Sequence, residues 1–164
     1  MSEYQNVVES AHELDAPPWQ RFESTLMATS KSIRRAYDLR FSEIGLNLSE
    51  ACLLEYIFEH GPMTQTQVAE RVGMQRASAG TIVDNLSDRK LLRRLSDETD
   101  HRVWLLSATR EGQRMAERIA AVDNALRFEL RKSLSPEERG QLANTLLRLQ
   151  SNLAEILQEN VTGP

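Results

Sequence analysis

The segment from residue 64 to residue 106 constrains the fold more than any other, because it sets several short elements in a fixed order. Thr64-Gln65-Thr66-Gln67 is a capping-box sequence and predicts a short helix that ends at Gly73. A second helix is predicted from about Gln75 to Arg89, and two strand-like runs around a polar tip follow over residues 91–106. Two short helices joined by a glycine turn and followed by a hairpin make a winged helix-turn-helix.

The second helix of this pair has one apolar face and one polar face. We expect its apolar positions to pack inward; they are Ala79, Ile82, Val83 and Leu86. The residues left outward or near the rim are Gln75, Arg76, Ser78, Thr81 and Asn85. Glutamine and arginine in a first turn suit the edges of adenine and guanine, and a single helix fits the major groove. The polar face therefore predicts a helix that reads DNA.

The distribution of charge supports this interpretation better than the total charge does. The chain carries 20 basic and 24 acidic residues, and its formal net charge of −4 argues against a nucleic-acid partner. Residues 49–70 contain four acidic residues and no basic residue, whereas residues 71–102 contain seven basic and five acidic residues. The net positive stretch of the chain therefore coincides with the predicted second helix and hairpin.

Longer helical patterns lie on both sides of the predicted winged domain. A helix is predicted from Trp19 to about Phe41, and Ser49 is predicted to cap the helix that ends at His60-Gly61-Pro62. Thr109 is predicted to cap a fifth helix, and the capping box Ser135-Pro136-Glu137-Glu138 predicts a sixth. The apolar stripes of these last two helices exceed what a small winged domain can cover, so we expect a second chain to cover them.

Composition excludes several other classes of protein. A single cysteine, Cys52, excludes a disulfide framework and a multi-thiolate zinc site, and its apolar neighbours predict a small core residue. No apolar run is long enough for a membrane span, and the N-terminus lacks the pattern of a secretory signal. No histidine spacing suggests a metal site, and no catalytic constellation is evident. We therefore expect a cytoplasmic protein that is not an enzyme and has no cofactor.

Several ordered motifs resemble those of the MarR-type transcriptional regulators. These motifs are Gly45 to Ser49, His60 to Gln65, Leu86 to Arg94, Asp97 to Leu106 and Thr109 to Gly112. Asp100-His101-Arg102 corresponds to the D-x-R signature of the family, in which the arginine reaches the minor groove and the aspartate helps to hold the wing. The recognition helix departs from the family pattern at Ala77, Gly80 and Thr81. We interpret Gly80 either as allowing close approach of the backbone to DNA or as simply tolerated.

The resemblance implies a fold that is mainly α with a small β-hairpin wing, in which a winged helix-turn-helix domain is joined to a helical dimerisation region. It implies an obligate homodimer whose two winged domains face successive major grooves of a palindrome. The expected division is an N-terminal arm at residues 1–18, a first dimerisation helix at 19–48, the DNA-binding domain at 49–108 and C-terminal dimerisation helices at 109–164. The predicted DNA contacts are Gln75, Arg76, Ser78, Thr81, Arg93, Arg94, Asp100 and Arg102.

The resemblance also implies a small-molecule effector that binds between the first, second and fifth helices and releases the protein from DNA. We expect an aromatic carboxylate or its coenzyme A thioester. Candidate lining residues are the aromatic side chains of Trp19, Phe22, Tyr37 and Phe58. Candidate anion-binding residues are Arg34, Arg35 and Arg40.

Two alternatives remain open at this point. In the first, the chain is a regulator that senses oxidants through its single cysteine. In the second, the winged helix binds another protein and not DNA. The sequence does not distinguish a repressor from an activator, and it does not identify the operator.

Overall fold

The computed structural model describes residues 17–159 and is mainly helical with one small β-hairpin, which confirms the predicted fold class. The predicted N-terminal arm lies, up to residue 16, outside the described residues. A 3₁₀ turn at Pro18–Gln20 precedes the helices. The helices are α1 (Phe22–Ser42), α2 (Leu48–His60), α3 (Gln65–Arg71), α4 (Arg76–Asp88), α5 (Arg110–Arg131) and α6 (Pro136–Glu159). The strands β1 (Leu92–Ser96) and β2 (Trp104–Ala108) pair antiparallel.

The starts of α2, α3 and α6 follow local side-chain chemistry, with one correction to the predicted caps, whereas α1 has no side-chain cap and begins at Phe22, three residues after the predicted Trp19. Thr64 and Ser135 each exchange hydrogen bonds with the residue three positions later, as predicted for capping boxes. Ser49 is not the cap of α2. Asn47 Oδ1 accepts from the Glu50 N–H at 2.9 Å, and the Glu50 carboxylate accepts from the Asn47 N–H at 2.9 Å. This reciprocal pair starts the helix two residues earlier than predicted.

The chain divides into two compact units, and the division falls within α5, after Asp123. In the first unit one apolar cluster is formed by α1 to α4, the hairpin and the first part of α5. Its largest fully buried side chains are Leu53, Leu54, Ile57, Leu86, Leu106, Ile119, Val68 and Val83. This core supports α3, α4 and the hairpin, which are the elements of the predicted DNA-binding domain.

The second unit contains the end of α5 and the whole of α6. No residue of α6 whose side chain is described is buried. Several large apolar side chains of this helix are at least 46% exposed: Leu142, Leu147, Leu153, Ile156 and Leu157. An apolar surface of this kind is typical of an interaction site. In the described part of the chain, no helix combines the length and apolar character needed to span a bilayer.

The prediction that Cys52 is a small core residue is wrong, because its side chain is exposed. Its neighbours Ala51 and Leu53 are completely buried, so Cys52 lies on the opposite face of α2. Partial burial raises the pKa of the Cys52 thiol, and the nearby Glu55 carboxylate raises it further. A raised pKa disfavours the thiolate, which is the reactive form of cysteine.

Candidate nucleic-acid interface

Helix α4 presents a polar face because its apolar face packs into the core of the first unit. Ala79, Val83 and Leu86 are fully buried, as predicted, whereas Ile82 is half-buried. The turn before α4 contains Gly73, whose φ of 67° lies in the left-handed region that favours glycine. The predicted DNA contacts of this element are all exposed: Gln75 at the position before the helix, Arg76 at its first residue, and Ser78 and Thr81.

Gly80 is half-buried and lies beside a side chain of α3. A Cβ atom at this position would lie 3.2 Å from Nε2 of the Gln65 side chain. A side chain at this position would require the Gln65 amide to shift by a few tenths of an ångström. The two interpretations of Gly80 stay predictions.

Arg76 is held by an acidic side chain of α3. Its Nη2 atom donates to Glu70 Oε1 at 3.1 Å, and both side chains are mostly exposed. The pair joins the end of α3 to the first turn of α4. The guanidinium keeps further N–H donors for another partner, because an arginine has five.

The two arginines of β1 lie on opposite sides of the hairpin, since successive residues of a strand point to opposite faces. Arg94 Nη2 donates to Asp84 Oδ1 of α4 at 2.8 Å. Arg93 is exposed and pairs in register with Ser107 of β2. Arg94 thus has an acidic partner in the folded domain, and the DNA contacts of Arg93 and Arg94 stay predictions.

The tip of the wing is folded by two aspartates. Asp97 Oδ1 accepts from the N–H groups of Thr99 and Asp100 at 2.8 and 3.0 Å, and from the Thr99 hydroxyl at 2.5 Å. Asp100 accepts from the backbone N–H of Arg102 at 3.1 Å, and from its Nε at 3.1 Å and Nη2 at 3.3 Å. The Asp100 carboxylate therefore orients an arginine whose side chain is 91% exposed.

These hydrogen bonds stabilise the ionised form of both carboxylates. The bonds from the Arg102 side chain and backbone lower the pKa of Asp100. The Thr99 hydroxyl, followed by the N–H groups of Asp100 and Thr99, lowers the pKa of Asp97. Both aspartates therefore stay ionised to a lower pH than an ordinary aspartate does.

The predicted effector residues are distributed over three elements. Trp19 in the 3₁₀ turn is 75% exposed, Phe22 begins α1, and Phe58 lies on α2. Arg34 and Arg35 are exposed on α1. Tyr37 donates to Asp123 of α5 at 2.9 Å, whereas Arg40 pairs with Glu43 at 3.7 Å. The Tyr37 hydrogen bond joins α1 to α5, and all seven effector assignments stay predictions.

Two surface cavities lie elsewhere, and none of the seven predicted effector residues lines either of them. The larger, about 590 Å³, lies in the second unit and is lined by Asn124, Arg127, Phe128, Arg131, Lys132, Leu134 and Arg139. The smaller, about 300 Å³, is lined by Cys52, Glu55, Tyr56, Glu59, Arg71 and Val72. The acidic partners of the α4 and β1 arginines, Glu70 and Asp84, were not among the predicted site residues.

Comparison with known proteins agrees with this geometry. The family model described as MarR family matches residues 44–103, which extend from the end of α1 through the wing tip. This segment is therefore similar to the MarR family over residues 44–103. The matched residues include α4 and the Asp100–Arg102 pair.

Solved structures extend the similarity to most of the chain. A probable transcriptional regulator from Pseudomonas aeruginosa is 25% identical, with 79% of this chain and 99% of that chain covered and a TM-score of 0.67. Staphylococcus aureus MepR, solved with DNA, is 21% identical, with 80% and 97% covered and a TM-score of 0.73. Bordetella bronchiseptica BpsR, whose DNA binding is regulated by 6-hydroxynicotinic acid, is 17% identical, with 82% and 96% covered and a TM-score of 0.75.

Proposed function

We propose that the chain is a DNA-binding transcriptional regulator that acts in the cytoplasm. The observation that carries the proposal is the arrangement of α4 and the wing in one domain that is similar to the MarR family. Helix α4 offers Gln75, Arg76, Ser78 and Thr81 to a major groove, and the wing offers Arg102 to the neighbouring minor groove. Asp100 orients Arg102 before DNA arrives, which reduces the loss of side-chain entropy on binding.

We further propose that the regulator is a homodimer that represses transcription from a palindromic operator. The large apolar side chains left exposed along α6 favour a partner helix, and α1 and α5 complete the proposed dimerisation region. A two-fold dimer would place its two α4 helices about 34 Å apart, which matches one turn of DNA between half-sites.

The proposed effector is an aromatic carboxylate or its coenzyme A thioester, bound between α1, α2 and α5. The link between Tyr37 and Asp123 supports this place, because it joins α1 to α5. The regulation of BpsR by an aromatic acid supports this ligand class. Release of DNA requires that the effector bind one state of the dimer much more tightly than the other.

The alternative of redox sensing is weakened by the raised pKa of Cys52. The alternative of a winged helix that binds only protein remains an outcome of the DNA-binding experiment. A protein-binding module would give no shift of its own upstream DNA, even at low salt.

The decisive experiment measures binding to the DNA upstream of the gene by fluorescence anisotropy at several salt concentrations. We expect affinity to fall steeply with salt, because phosphate contacts release counterions. Arg102→Ala should weaken binding about tenfold or more, because the change removes one minor-groove arginine from each subunit of the dimer. Arg148→Ala on α6 is the charge-matched control outside the proposed DNA contacts, and its molecular mass must show that the proposed dimer is retained.

If Arg102→Ala binds DNA as tightly as the wild type and melts at the same temperature, the wing does not contribute to DNA binding.

Analytical ultracentrifugation tests the dimer, and a single-chain mass at micromolar concentration would contradict it. Thermal-shift screening of aromatic acids and their thioesters, with and without operator DNA, tests the effector class. A ligand of the proposed kind stabilises the free protein and reduces DNA affinity.

A further inference from the structure

Asp84 and Arg94 form an ion pair that joins α4 to the wing. Their 2.8 Å hydrogen bond links residues ten positions apart, one on a helix and the other on a strand. Arg94 lies opposite Leu106 in the hairpin register, and Leu106 is buried in the core. The arginine therefore starts from the face of the hairpin that packs on the domain, and its guanidinium ends beside α4.

The pair leaves most of the hydrogen-bonding capacity of Arg94 available. A guanidinium has five N–H donors, and the bond to Asp84 accounts for one of them. The Arg94 side chain is 48% exposed and that of Asp84 is 65% exposed. Asp84 follows Thr81, a predicted DNA contact, by about one helical turn. The guanidinium thus lies at the edge of the proposed DNA-binding surface, with donors of the geometry that phosphate accepts.

We propose that Asp84 is a positioning residue for DNA binding, which holds Arg94 in the orientation that contacts a phosphate beside α4. The inference rests on the proposed DNA-binding function. A restrained arginine loses less side-chain freedom on binding, so the pair strengthens the phosphate interaction. The Asp84 carboxylate also repels phosphate, so its removal has two opposing consequences. The sign of the affinity change therefore identifies which consequence is larger.

The test compares two variants that remove one negative charge from the same helix. Asp84→Asn removes the partner of Arg94, whereas Asp88→Asn removes an exposed carboxylate for which the described residues offer no ion pair. We expect Asp84→Asn to bind upstream DNA about tenfold more weakly, with a logarithmic salt slope smaller by about one for each phosphate that Arg94 no longer neutralises. Asp88→Asn should bind as well as the wild type or slightly better.

Two further variants separate positioning from a merely structural role. Asp84→Glu keeps the carboxylate on a longer side chain and should restore most of the affinity that Asp84→Asn removes. Asp84→Asn combined with Arg94→Gln should bind no more weakly than Arg94→Gln alone, because both changes remove the same interaction with DNA. The melting temperature of Asp84→Asn should change by only about 3 °C or less, since exposed ion pairs contribute little to stability.

Stronger DNA binding by Asp84→Asn with an unchanged salt slope would overturn the inference, because only the repulsion would then have been removed. Additive reductions of affinity in the double variant would overturn it as well. Wild-type protein that does not bind the DNA at low salt refutes the proposed function. Wild-type binding that Arg102→Ala weakens and Asp84→Asn leaves unchanged refutes the positioning role alone.

Discussion

Replacing Gly112 by alanine tests how closely the first turn of α5 packs against the start of the wing. A Cβ at this position would lie 2.1 Å from the carbonyl oxygen of Leu91 and 3.5 Å from the Cβ of Ala108. Carbon and oxygen atoms in contact are normally about 3.3 Å apart, so the helix and the carbonyl must separate by about 1 Å. The same carbonyl accepts from the Thr109 N–H at 3.0 Å, so the separation also weakens the anchoring of α5.

The expected decrease in stability combines three contributions. Overpacking a close contact costs about 1–3 kcal/mol, and the weakened Thr109 hydrogen bond adds about 1 kcal/mol. The better helix propensity of alanine offsets about 1 kcal/mol. We therefore expect Gly112→Ala to lower the free energy of unfolding by about 1–3 kcal/mol, which for a chain of this length lowers the melting temperature by about 2–12 °C.

Gly140→Ala on α6 is the matched control, because no heavy atom lies within 4 Å of the added Cβ in the described chain. This variant gains helix propensity without a clash and should be stabilised by about 0.5–1 kcal/mol. Thermal unfolding is followed by far-ultraviolet circular dichroism at one protein concentration, since a dimer melts in a concentration-dependent way. The packing argument is refuted if Gly112→Ala melts at or above the wild-type temperature while Gly140→Ala behaves as expected.

Two further changes test the helix starts and the core by urea denaturation. Asn47→Ala should cost about 1 kcal/mol because it removes the side chain that caps α2, whereas Ser49→Ala should change stability by less than about 0.5 kcal/mol. If Ser49→Ala destabilises the protein as much as Asn47→Ala or more, Ser49 and not Asn47 caps α2. Ser87→Ala should stabilise the protein by about 1 kcal/mol, because the Ser87 hydroxyl is buried and the described residues offer it no hydrogen-bond partner. Destabilisation by this change would show that the hydroxyl does have a partner.

The starts of the helices were the part of the fold most accessible from sequence. A capping box joins residues three positions apart, so its residues are visible in a short stretch such as Thr64 to Gln67. Ser49 was the wrong prediction for the cap of α2 because it lacks the partner that a capping box requires. The residue three positions after Ser49 is Cys52, whereas the residue three positions after Asn47 is Glu50. The same spacing rule, applied to both positions, identifies Asn47.

The exposure of Cys52 was harder to predict, because α2 is apolar around much of its circumference. Ala51, Leu53, Leu54 and Ile57 are all buried, so their spacing does not indicate one narrow inward stripe. Which side of such a helix remains open depends on how its neighbours pack. The raised pKa of the Cys52 thiol also depends on the folded structure, because it comes from partial burial and from the Glu55 carboxylate.

The candidate DNA surface combines one local motif with two ion pairs that are not local. Asp100 and Arg102 lie two residues apart within the wing tip, so their pairing is accessible from sequence. Arg76 and Arg94 depend instead on acidic partners six and ten residues away, on different elements. Only the packing of α3, α4 and the hairpin brings these groups together. Sequence therefore identifies the arginines that face DNA in the proposed complex, whereas the carboxylates that orient two of them require the folded domain.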